Sequence, residues 1–186
     1  MATTTYVPIE AKTLASTSTD VQFSYIPSTY TDLVLVIAGK NSSSTYSPYI
    51  QFNGDTTTNY SSTQMYGDGS SAISNRQTST STLYFGSLGA TQGNAIIHIM
   101  NYANTTTYKT FLIRINASDF RTYGIVGLWR KTPEAINQIN IKMESGGSFA
   151  SGTTFTLYGI ANADTGALAT VGDRKSTRLN SSHLVI

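Results

Sequence analysis

The sequence predicts an all-β fold, an antiparallel β-sandwich of the jelly-roll type, and three observations carry that expectation. Charged residues make up only 12% of the chain, about half the usual share of roughly 25%. A helical bundle would need a charged outer face. Polarity comes instead from Ser, Thr, Asn and 12 tyrosines, residue types that suit strands and turns. Finally, short apolar or alternating segments recur between turn signals, with no helix-length amphipathic stretch separating them.

The segments run in order along the chain. Ile9 to Leu14 is a short strand candidate. Val21 to Ile26 alternates and stops at Pro27. Asp32 to Ala38 is continuously apolar after its first residue, so a central strand buried on both faces is expected. Tyr49 to Phe52 leads into Asn53-Gly54-Asp55, a strong turn signal. Thr82 to Phe85 is a further short candidate, and Ala95 to Met100 a buried run. Tyr108 to Ile115, Tyr123 to Trp129, Ile139 to Met143 and Thr153 to Ile160 complete the set. One helical turn is expected at Thr132 to Ile136, with Thr132 as N-cap and Pro133 as first helical residue. Gly146 to Gly152 lacks the GK[S/T] ending of a phosphate loop and reads as a glycine-rich turn.

Between Thr56 and Ser81 the chain is polar and poor in strand signals, so it reads as a long loop. Loops of that length are uncommon in compact domains and are often functional. The candidate binding residues therefore gather around it: Tyr60 and Tyr66, with Asn53, Asp55 and Asp68 in the adjoining turns. A tyrosine offers a flat apolar face and a polar tip, useful for sugars or protein partners. Asn53-Gly54-Asp55 and Gly67-Asp68-Gly69 hold oxygen ligands but match no complete calcium-loop spacing. Turn chemistry accounts for both, and no metal or other cofactor is expected.

The domain is expected to occupy residues 1–160, followed by a small, polar, linker-like stretch at 161–172. Residues 173–186 differ in kind. Three of the chain's 12 basic residues and one of its 10 acids lie there, so the remainder balances at nine and nine. The run Asp173 to His183 resembles the conceptual translation of a common sequencing adapter. This tail is therefore expected to be non-native and to pack against nothing, with the natural chain cut short before Asp173.

Catalytic constellations are sparse. There is no cysteine, so disulfides, thiolate metal sites and cysteine nucleophiles are excluded. Outside the tail the one histidine is His98, set between Ile97 and Ile99, where a structural role is expected. The acids sit mostly at strand ends or turns and mark no pair for glycoside hydrolysis. Trp129 is expected to pack in the core or at a strand end. No Lys/Arg stripe suggests nucleic acid. No apolar run approaches the roughly 20 residues of a membrane span, and the first residues lack signal-peptide features.

Several strings are distinctive: Ile26 to Leu33, Phe52 to Asp55 followed by Asn59-Tyr60-Ser61, Asn101 to Asn104 with Tyr108-Lys109-Thr110, Gly127 to Arg130, and the closing Thr154 to Ile160. Together they resemble a group of tailed-phage virion structural proteins, over roughly residues 5–160. The resemblance implies a virion location and carries no catalytic signature. The expected function is a non-enzymatic structural or attachment domain of a tail fibre, baseplate or capsid decoration. Its expected partners are other virion proteins, further copies of itself (a trimer among the options) and a host-surface glycan, but neither nucleic acid nor membrane. The alternative from another class is a lectin-like carbohydrate-binding module. An enzyme acting on glycans through an Asp/Glu pair ranks third.

Overall fold

The computed structural model describes residues 4–42, 46–118 and 121–161. The tail at 173–186 and nearly all of the linker-like stretch lie outside the described residues. Those residues form twelve strands and no helix: β1 (Tyr6–Thr13), β2 (Asp20–Phe23), β3 (Asp32–Gly39), β4 (Pro48–Phe52), β5 (Tyr60–Gly67), β6 (Ala72–Thr80), β7 (Leu83–Tyr84), β8 (Gly93–Met100), β9 (Lys109–Ala117), β10 (Thr122–Trp129), β11 (Ile139–Met143) and β12 (Thr154–Ile160). They build an eight-stranded sheet, β1-β12-β3-β8-β9-β10-β5-β6, and a four-stranded sheet, β2-β11-β4-β7.

The topology becomes simple once the β5–β6 and β9–β10 hairpins are set aside. The other eight strands pair from the outside inward: β1 with β12, β2 with β11, β3 with β8, β4 with β7, all antiparallel. The chain is one long two-stranded ribbon, rolled so that alternate pairs fall in opposite sheets. That is the jelly-roll arrangement. The two extra hairpins extend the larger sheet beyond β8.

Alternation of side chains places the core. Leu33, Leu35 and Ile37 of β3, Ile97 and Ile99 of β8, Phe111 and Ile113 of β9, and Phe155 and Leu157 of β12 point inward with no exposure. Phe23, Ile50, Phe52, Ile139 and Ile141 meet them from the smaller sheet, also fully buried. Each such side chain contributes roughly 1.5–3 kcal/mol of burial. Phe52 on β4 stacks on Phe111 of β9 at 4.6 Å and tilts against Trp129 of β10 at 5.6 Å. The smaller sheet therefore reaches across β9 and β10. The edge strand β1 carries Pro8 and a register shift between Pro8 and Glu10, features that discourage further strand pairing.

Three expectations need correction. The segment 56–81 is not a loop, because it folds into β5 and β6, closed by a turn in which the Asp68 amide bonds to the Ser71 carbonyl at 3.3 Å. The strand signal was weak because β6 is exposed almost throughout, so nothing selects apolar alternation. The helical turn at Thr132 to Ile136 is absent. Its neighbourhood bonds elsewhere instead: the Ile136 amide donates to the Tyr102 carbonyl, and the Asn137 and Gln138 amides donate to Asn53 Oδ1. Finally, β3 is central, between β12 and β8, but its outer face is not fully covered, since Val36 and Ala38 are part-exposed.

Candidate ligand cleft between the sheets

The inner face of the larger sheet changes character at β5. On β9 the inward positions are Lys109, Phe111, Ile113, Ile115 and Ala117. On β5 they are Tyr60, Ser62, Gln64 and Tyr66, and across the hairpin Gln77 stands opposite Ser62, Asn75 opposite Gln64, and Ile73 opposite Tyr66. The smaller sheet ends at β7, only two residues long, so it cannot cover β6. The overhang leaves a cleft of about 300 Å³.

Tyrosines form one side. Tyr66 and Tyr123 pack at 5.0 Å with an interplanar angle of 36°. Tyr84 of β7 borders the cleft from the face of the smaller sheet that carries Tyr49, whose ring meets it edge-on at 5.5 Å. Tyr123 can lie there because residue 86 is glycine. Gly86 has φ +89°, and a Cβ on it would come within 2.8 Å of the Tyr123 ring. Amides form the other side: Gln64, Asn75 and Gln77. Gln64 is 7% exposed, and its Nε2 reaches only a long 3.5 Å contact with Ser62 Oγ. Gln77 Oε1 is buried without a hydrogen-bond partner among the described residues. A buried orphan acceptor costs about 1–3 kcal/mol unless water or a ligand satisfies it. Two charges complete the lining. The Arg121 guanidinium lies 4.9 Å from the centre of the Tyr66 ring, a cation–π contact. Glu144 Oε1 accepts from the Ser47 amide at 2.6 Å.

The five sequence candidates separate into three places, and Tyr66 alone lines this cleft. Asn53, Asp55 and Tyr60 tie down a turn instead. Asn53 (φ 50°) and Gly54 (φ 67°) are both left-handed, and the Asp55 amide donates back to the Phe52 carbonyl at 2.9 Å, which makes a type I′ turn. Asn53 Nδ2 donates to Glu134 Oε1 and the Ala135 carbonyl. Asp55 Oδ1 accepts from the Thr57 amide and hydroxyl, and Oδ2 from Asn59 Nδ2 and Trp129 Nε1. A carboxylate has about four acceptor positions, and donors fill all of them, so none faces a cation. Burial pushes the Asp55 carboxyl up, but the bonds from Thr57, Asn59 and Trp129 outweigh it and hold the pKa at about 2.

Tyr60, expected to present a face to a ligand, has no exposure. Its ring stacks near Phe52 and Trp129, and its hydroxyl accepts from the Phe52 amide and donates to the Asp55 carbonyl. Asp68 sits at the exposed hairpin tip. The Ser70 amide and hydroxyl and the Ser71 amide hold its pKa at about 2. Tyr102 is likewise buried, with its hydroxyl on the Pro27 carbonyl. His98 Nε2 donates to Asp32 Oδ2, 2.9 Å away, on the outer face of the larger sheet. No group of three His, Asp or Glu residues suited to a metal occurs among the described residues.

Sequence reasoning missed Tyr84, Tyr123, Arg121 and the three amides. One signal for the amides was available: Ser62-x-Gln64 and Asn75-x-Gln77 repeat at the strand period of two. No protein-family model matches the chain, and no curated protein matches it in sequence.

Proposed function

We propose that the chain is a non-catalytic recognition domain whose inter-sheet cleft holds a hydroxyl-rich ligand of the oligosaccharide class, and that it serves as a structural and attachment domain of a phage virion. The observation that carries the binding reading is the cleft lining: tyrosines beside a row of amides, one of them with an unmet acceptor. Aromatic faces take the apolar side of a sugar ring, and amides both donate to and accept from its hydroxyls. Glycoside hydrolysis needs two carboxylates. Among the described residues Glu144 is the one carboxylate in the cleft lining, and it is engaged by the Ser47 amide. The virion reading rests on the sequence strings described above and on a body of balanced charge, suited to a surface where rigidity matters more than reactivity.

Glycan-array screening followed by calorimetry tests the binding reading. The wild-type chain is expected to bind at least one oligosaccharide, and Tyr66→Ala to weaken that binding about tenfold, the loss of one stacking face. Absence of binding across the array, or unchanged affinity in Tyr66→Ala, overturns it. Head or tail genes beside the coding sequence are expected under the virion reading.

A further inference from the structure

The outer face of the eight-stranded sheet is left uncovered by the smaller sheet, and several of its exposed side chains are apolar. One row across the strands reads Tyr158, Val34, His98, Leu112, Val126, Thr63. The next row reads Thr156, Val36, Ile96, Arg114, Gly124, Met65. Leu112 is 45% exposed, Val126 56% and Met65 66%. Asp32 on this face is already paired with His98. Contiguous exposed apolar surface of this kind marks an interaction site.

We infer that this face binds a second copy of the same chain, through a two-fold axis that crosses the strands between the Val126 row and the Gly124 row. Two observations support a copy. The first is shape. Val126 is a projecting knob, while two residues away a Cβ on Gly124 would meet nothing within 4 Å, so knob and hollow alternate on one strand. The two-fold axis lays each row over the other: Val126 enters the hollow at the partner copy's Gly124, and the reverse contact follows by symmetry.

The second is area. Eight strands about 4.8 Å apart and some eight residues long span roughly 1,000 Å², above the approximately 800 Å² per partner of a standard stable interface. The cleft opens on the opposite side of the larger sheet, so this interface leaves it accessible, and the inference stands independently of the glycan reading.

Light scattering of the full chain reads the oligomeric state. The wild type is expected as a dimer at micromolar concentration. The double variant Leu112→Glu/Val126→Glu is expected as a monomer with an unchanged circular-dichroism melting curve. The chain has no cysteine, so Val126→Cys treated with a short bis-maleimide is expected to give a cross-linked dimer. Asn140→Cys, on the smaller sheet, is expected to give none. A monomeric wild type, which would leave the face to a different chain, overturns the inference. So does a dimer that survives both glutamates, or cross-linking that is equal at the two cysteine positions.

Discussion

The β9–β10 and β5–β6 hairpins are built alike and do opposite things. Both are antiparallel insertions into the same rolled ribbon, and both extend the same sheet, lying side by side through the β10·β5 ladder. The smaller sheet reaches over β9 and β10, and their inner positions are Phe111, Ile113, Ile125 and Trp129. It stops short of β6, and the inner positions there are Asn75 and Gln77. What separates the core from the proposed recognition surface in this molecule is therefore the length of the opposing sheet. A strand that gains a roof can be apolar; where the roof ends here, the inner face turns to Gln64, Asn75 and Gln77, groups able to meet a ligand.

The sharpest way to break this contrast is to shave the roofed hairpin. Ile113 has no exposure, and Ile113→Ala is expected to destabilise the fold by about 2–5 kcal/mol, measured by urea denaturation. A smaller loss would mean that the roof is looser than the packing implies.

Next is the turn that anchors β4 against β10. Asp55→Ala removes the acceptor of four donors, Trp129 Nε1 among them, and is expected to cost about 3 kcal/mol. The wild-type group also makes a pH prediction. Its folded pKa of about 2 lies below the ordinary 3.8, so the contribution is present above pH 4. It is lost as pH falls from there through 2, by roughly 2 kcal/mol. Denaturation midpoints in Asp55→Ala are expected to lose that pH dependence.

The unroofed hairpin predicts the inverse pattern. Gln77→Ala removes a buried acceptor that has no partner among the described residues, so stability is expected to rise, by up to about 1–3 kcal/mol, while ligand affinity falls. Calorimetry and thermal melting on one sample separate the two effects. The smallest effect belongs to Asp68→Ala. It dissolves an exposed turn held by Ser70 and Ser71, and is expected to speed amide exchange at the hairpin tip without moving the melting temperature.

The same contrast explains what the sequence disclosed. Ile139 to Met143 and Tyr123 to Trp129 were legible because one face is roofed, and burial writes a period of two into the residues. The Asn53-Gly54 turn was legible because two consecutive left-handed residues demand that chemistry. β5 and β6 were not, since Ser, Thr, Asn and Gln on both faces look like a loop when nothing apolar alternates. Tyr60 was misread for the same reason: its segment looked irregular, so its burial against Phe52 and Trp129 was invisible. The Thr132 to Ile136 stretch had valid helix-start signals, but long-range bonds to Asn53 and Tyr102 outweighed one local turn. Of the cleft, Tyr66 was found from its position; Arg121, Tyr84 and Tyr123 come from distant parts of the chain that only the roll-up brings together.

The outermost pair of the ribbon has a mechanical consequence. Tyr6 lies opposite Ile160, and the Ala161 amide donates to the Thr5 carbonyl at 2.9 Å. The two ends of the domain thus leave side by side from one corner. Tension applied between them loads the β1·β12 ladder one hydrogen bond at a time, as a zipper is opened, instead of shearing all its bonds together. A pull along that line is expected to peel β1 at low force in single-molecule stretching. A load carried across the broad outer face would meet the whole sheet at once.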